Sequence, residues 1–153
     1  MKNPTPVLFF LLLLAACNNK SDQPAIVDDT LAVTVPRYSW QASLNDSTGR
    51  LEMIKSQVED GEISPQAVIE PINQQYPEIQ LDYLVTSNDT VYLKIDDAHY
   101  LTQQMGSSGS TMYLASLVYN LTELPHINFV NIAFEEGDHA QPGTFTRETF
   151  ADQ

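Results

Sequence analysis

The chain reads as an α+β protein, a two-layer sandwich with helices packed on one face of a small mixed β-sheet. Three observations predict this. Two runs around Ser87-Asn88-Asp89 alternate apolar and polar residues with period two, as a half-covered sheet requires. Leu114, Leu117, Val118 and Leu121 fall on one stripe at helical spacing. Ile127–Phe134 is apolar on both faces, which suits a covered strand. Helices laid over a sheet with one polar face imply two layers.

The N-terminus comes first in the chain and is not read as fold. Lys2 gives a positive start, and the apolar run Val7–Ala16 follows, shorter than the ~20 residues that cross a bilayer. Leu14-Ala15-Ala16-Cys17 resembles the lipobox of bacterial lipoproteins, and Cys17 is the only cysteine. The expectation is a signal peptide over 1–16, removed when Cys17 receives lipid (palmitate among its chains) and becomes the membrane anchor. Two or more acyl chains hold a protein stably, at about 0.8 kcal/mol per buried methylene. With Cys17 lipidated, no thiol remains for disulfides or metals.

Loss of Lys2 leaves six of the seven basic residues and all 20 acidic ones, a mature net charge of −14. That excludes nucleic acid as a partner and disfavours adhesion to anionic lipid. It suits a domain in the periplasm or at the cell surface. Asn18 rather than aspartate follows the cysteine, which favours the outer membrane.

Residues 17–29 form the lipidated cysteine and a flexible tether, polar and broken by Pro24, reaching about 40 Å when extended. Residues 30–153 are read as a single domain. Leu31, Val33 and Val35 alternate as a strand ended by Pro36. Leu51, Ile54 and Val58 are spaced for a short helix stopped by Gly61. Ser64-Pro65 is an N-cap with proline at the first helical position, opening a helix that buries Val68, Ile69 and Ile72 and that Pro71 bends or shortens. In the hairpin, Ile79, Leu81, Tyr83 and Val85 face the core with Val91, Leu93 and Ile95. Leu84 and Tyr92 stand on the polar face. Gly106–Ser110 gives a turn and cap for the next helix, which Pro125 ends.

The stretch VYLKID at 91–96, GSSGS at 106–110, YNLTELPHI at 119–127, FVNIAF at 129–134 and Glu136-Gly137 resembles the GerMN domain of bacterial sporulation and germination proteins. The family's glycine after the proline is His126 here, and residues 36–62 lie outside the resemblance. The resemblance implies an envelope lipoprotein whose domain is similar to the ring-building modules of secretion assemblies. It also implies a non-enzymatic role in binding or assembly, with an envelope protein or a cell-wall component as partner.

The chemistry-bearing residues do not specify a reaction. Glu135, Glu136, Asp138 and His139 are of metal-ligating type, but consecutive residues in a turn diverge. No metal, nucleotide or phosphate motif is present, so no cofactor is expected. Gly106-Ser107-Ser108-Gly109 is not a nucleophile elbow. Asp96 and Asp97 face opposite sides of a strand, and His99 and His126 have no partner in sequence. A catalytic or metal centre would need Asp97, Asp138, His139 and Arg147 to meet in one cleft. The alternative function is an accessory or weak hydrolase acting on peptidoglycan or another cell-surface polymer.

Interaction candidates are Tyr92, Tyr113 and Tyr119, as tyrosine is favoured at interfaces. Asp138, His139, Arg147 and Glu148, around Pro142-Gly143, add a second group. Arg147 has two roles open to it: neutralising the acidic turn internally, or offering a planar donor to a partner carboxylate.

Overall fold

The structure, a computed structural model, describes residues 37–58 and 64–153. These fall in the compact unit Val33–Gln153. Cys17, the tether and the strand read over Leu31–Val35 lie outside the described residues.

The first described element was not anticipated. Strand β1 (Arg37–Leu44) pairs antiparallel with β2 (Leu51–Val58), Ala42 facing Met53 and Leu44 facing Leu51. The helix read over Leu51, Ile54 and Val58 is therefore a strand. Leu51 and Met53 pack on the core, while Ile54 is 51% exposed. The turn chemistry decides the matter. Asn45 Oδ1 accepts from the amides of Ser47 and Thr48 at 2.9 and 3.0 Å, and Gly49 takes φ +68°, so the chain reverses and pairs. Cross-strand pairing overrides a spacing that fits a helix equally well.

Helix α1 (Pro65–Gln75) starts as read, with Ser64 Oγ accepting from the Ala67 amide at 3.2 Å. Ile69 is buried, and Val68 and Ile72 pack against the core. Pro71 does not shorten the helix, which runs on to Gln75. The end comes at Tyr76, forced out of the helical region before Pro77.

Strands β3 (Leu81–Ser87) and β4 (Thr90–Ile95) form the expected hairpin, turned at Asn88 with φ +54°. Leu81, Val91, Leu93 and Ile95 are buried as read. Val85 is not. A β-bulge lets Tyr83 face Leu93 and Val85 face Tyr92, so Leu84 is the extra residue and the side chains after it change faces.

A π-turn (Tyr100–Gln104) leads into helix α2 (Gly106–Leu121). The Gly-Ser run is thus the first turn of α2 rather than a cap before it. Gly106, at φ +72°, makes the bend, and Ser110 Oγ turns inward to the Leu101 carbonyl at 2.5 Å. Leu114, Leu117, Val118 and Leu121 are buried on the predicted stripe. Helix α2 carries the chain from β4 to β5 (Phe129–Ala133), which lies parallel to β4. A short β6 (Gly143–Phe145) completes the sheet order β3-β4-β5-β6, and a 3-10 turn (Arg147–Phe150) follows. The inner face of this sheet and the buried face of α2 share one core. The outer face, with Tyr92, Lys94 and Asp96, is exposed. This is the α+β arrangement read from the sequence, with a second two-stranded sheet added. Among the described residues no helix is long and apolar enough to cross a membrane.

Two asparagines close strand edges from the helices. Asn120 of α2 accepts from the Trp40 amide at 2.9 Å and donates to the Trp40 carbonyl at 2.7 Å. Asn73 of α1 does the same for Leu81, at 2.8 and 3.0 Å. Each carboxamide stands where a neighbouring strand would be, so buried edge groups keep partners.

His126 holds φ +66°, at the position where the resembled family carries glycine. A side chain in this region costs roughly 1–2 kcal/mol, offset in part by the extra chain entropy that glycine loses on folding. His126→Gly is therefore expected to raise stability by about 1 kcal/mol in a denaturant titration. An unchanged midpoint would mean that the imidazole makes a compensating contact.

Candidate interaction surface

The sequence-predicted residues separate into three places. Arg147 belongs to a clasp around Glu123. Glu123 Oε2 accepts from Trp40 Nε1 at 2.9 Å and from Arg147 Nη2 at 2.8 Å, and Oε1 accepts from Lys55 Nζ at 2.8 Å. Arg147 also donates to Thr122 Oγ1 at 2.8 Å and to the Tyr119 carbonyl at 3.0 Å. Its guanidinium lies 5.2 Å from the Trp40 ring and 5.0 Å from the Tyr119 ring, within cation–π range. Arg147 thus sits at the C-terminal end of α2, where a cation is favoured. Its guanidinium is engaged by Glu123 and not by the acidic turn, so the internal pairing read for Arg147 exists but with a different carboxylate. Burial alone would raise the pKa of Glu123. Hydrogen bonds from Lys55, Arg147 and Trp40 outweigh burial and lower it to about 2.

The turn after β5 docks on the π-turn and the start of α2. The Gln103 amide, oriented to satisfy both partners, donates to Asp138 Oδ2 at 3.2 Å and accepts from the Asp138 amide at 3.3 Å. His139 donates its amide to the Thr102 carbonyl at 3.0 Å, and its Nδ1 lies 3.2 Å from Ser107 Oγ. Gly137 fits because a Cβ there would come within 2.7 Å of Thr102 Cβ. Among the described residues no three ligating side chains gather for a metal. Asp97 lines a different groove, with His99 and with Asp96; β4 ends at Ile95, so the two carboxylates read as diverging on a strand share this groove instead. Of the four residues whose convergence would mark a catalytic or metal centre, Asp138 and His139 share one turn, while Asp97 and Arg147 each stand elsewhere.

Tyr113 is 1% exposed and stacks edge-on with Tyr76 at 5.1 Å, so it is core and offers a partner nothing. Burial raises the pKa of its hydroxyl, which has no partner among the described residues. Tyr119 is half-buried against Trp40 at 5.3 Å. Of the three tyrosine candidates, Tyr92 alone stands on an open surface, 37% exposed on the outer sheet face. The bulge places Leu84 (55% exposed) and Val85 (49%) beside it.

Sequence reasoning passed over Trp40, Lys55 and Glu123. A signal for β1 existed: Trp40, Ala42 and Leu44 alternate with Gln41 and Ser43, and Trp40 is the single tryptophan. No local pattern shows that Val85 faces outward.

Comparison with known proteins follows from this geometry. No curated protein matches the chain. Among solved structures, the tandem GerMN domains of the sporulation protein GerM from Bacillus subtilis are similar at 14% identity. That match covers 80% of this chain and 48% of that one, with a TM-score of 0.47. The chain thus spans about half the length of that relative. A Clostridium perfringens protein described as a lipoprotein is similar at 18% identity, over 77% of this chain and 91% of that one, with a TM-score of 0.42. The family model for sporulation and spore germination matches residues 19–138, including the 36–62 stretch that the sequence resemblance left out. That span is most of the chain, and by it the protein belongs to the Germane family.

Proposed function

We propose that the protein is a lipid-anchored cell-envelope module that acts by binding or assembly and catalyses nothing. The observation that carries this reading is the outer sheet face. Leu84, Val85 and Tyr92 are held in the open on a rigid strand pair, where an apolar patch marks an interaction site. The lipobox-like Leu14-Ala15-Ala16-Cys17 supports a membrane anchor, the outer membrane favoured, with the domain in the periplasm or at the cell surface.

Cys17→Ser tests the anchor. Expected are loss of palmitate labelling and release of the protein from the membrane fraction. Retention on the membrane through a carbonate wash would oppose the reading.

The hydrolase alternative has one observation in its favour, the contact between Ser107 Oγ and His139 Nδ1. Ser107 is exposed, and no carboxylate among the described residues hydrogen-bonds the His139 ring to orient it as a base.

A further inference from the structure

The structure assigns the β3 edge of the outer sheet face to an extended protein segment rich in lysine or arginine; this rests on the binding-module reading and names its partner class. Three features meet on this one strand. Leu84 and Val85 stand outward beside Tyr92, because the bulge turns Val85 away from the core. Bulges commonly re-aim side chains at functional sites.

The second feature is charge. At the other end of β3 a groove of about 560 Å³ is lined by the carboxylates of Glu78, Asp82, Asp96 and Asp97, and no lysine or arginine lines it. The nearby Lys94 is ion-paired with Asp96. A chain with formal net charge −13 therefore sets a groove of carboxylates at one end of the strand that carries its exposed apolar patch. A basic partner is drawn to such a surface and an acidic one repelled.

The third feature is the free edge. Asn73 occupies the outward backbone groups of Leu81. Tyr83, two residues on, points its backbone the same way by strand alternation. No described side chain hydrogen-bonds its outward backbone groups, and Gln66 and Glu70 of α1 line the groove beside it. An added strand would bond there, lay its apolar side chains on Leu84 and Val85, and bring its basic ones to Asp82, Asp96 and Asp97. Strand addition of this kind takes affinity from the main chain and specificity from alternate side chains.

The test uses two labelled short peptides of equal charge, each with its lysines in one half; the other half carries valines in one peptide and serines in the other, so that apolar and basic side chains can reach opposite ends of the same face. Each is titrated against the full-length chain by fluorescence anisotropy. The lysine–valine peptide is expected to bind about tenfold more tightly, the worth of burying a few apolar groups. The double variant Leu84→Ser/Val85→Ser should erase that difference while leaving the melting temperature unchanged, since both side chains are exposed. Asp96→Asn/Asp97→Asn should weaken both peptides and flatten their salt dependence. Equal binding of the two peptides, or a preference that survives Leu84→Ser/Val85→Ser, overturns the assignment as mere charge attraction. If a cross-linker at Tyr92 still captures a partner in cells, only the partner class fails. If that capture fails too, the binding-module reading falls with it.

Discussion

Leu93→Ala is expected to lower unfolding free energy by about 2–5 kcal/mol, the range for truncating a buried leucine. Leu93 is fully buried in β4, facing Tyr83 across the hairpin and Ile132 on the parallel side. Packing on both sides and from α2 leaves little room to collapse into the cavity. One residue earlier, Tyr92→Ala should change stability far less, since Tyr92 stands on the open face. The same holds for Val85→Ala beyond the bulge. Urea titrations of the three variants check the ranking. If Val85→Ala proved as costly as Leu93→Ala, the bulge would be absent and the register that of an unbroken alternation. The contrast bears on function: residues that cost little to keep folded, yet are apolar and exposed, are available to a partner.

Trp40→Ala should cost about 2–4 kcal/mol, less than a fully buried tryptophan because Trp40 is half-buried. The indole joins three parts of the molecule. It packs edge-on against Tyr119 of α2, donates to Glu123, and takes Lys55 of β2 and Arg147 of the C-terminal turn over its ring. Removing it unfastens the two-stranded sheet from α2 and takes one donor from a carboxylate that needs all of them.

The same clasp sets an acid limit. The Glu123 pKa is about 2 when folded, below its ordinary value of 4.5, so its stabilisation is present above about pH 4.5. It is lost as pH falls from there toward 2, because the unfolded state then binds the proton more readily. Glu123→Gln should lower stability at neutral pH and flatten this acid slope. A slope unchanged in Glu123→Gln would place the acid sensitivity in other carboxylates.

Local signals carried part of the fold. Ser64-Pro65 marked the start of α1, the alternation about Asn88 marked the hairpin, and the leucine stripe marked α2, because each is written within a few neighbouring residues. The family's glycine position was legible too, and His126 holds the left-handed conformation that glycine would supply. What escaped depends on distant partners. Strand β2 fits a helix until Asn45 and Gly49 fold it onto β1. The clasp joins Trp40 to Glu123 and Arg147 from far along the chain, so no window of sequence contains it. The interaction surface was half legible. Tyr92 and Leu84 were on the right face, but the bulge that adds Val85 is a backbone offset, invisible to a period-two reading. Arg147 looked available because it stands near an acidic turn, whereas its carboxylate, Glu123, lies just past the end of α2.

The most direct test of a lipid-anchored binding module is a photo-activated cross-linking residue at Tyr92, introduced into the full-length chain in the cells that make it. A matching chain carries the residue at Ser47, exposed on the loop of the other hairpin. The account predicts discrete adducts from position 92, none from position 47, and loss of the adducts in Cys17→Ser. A folded, membrane-held protein that gives no adduct from position 92, or the same adducts from both positions, would contradict it.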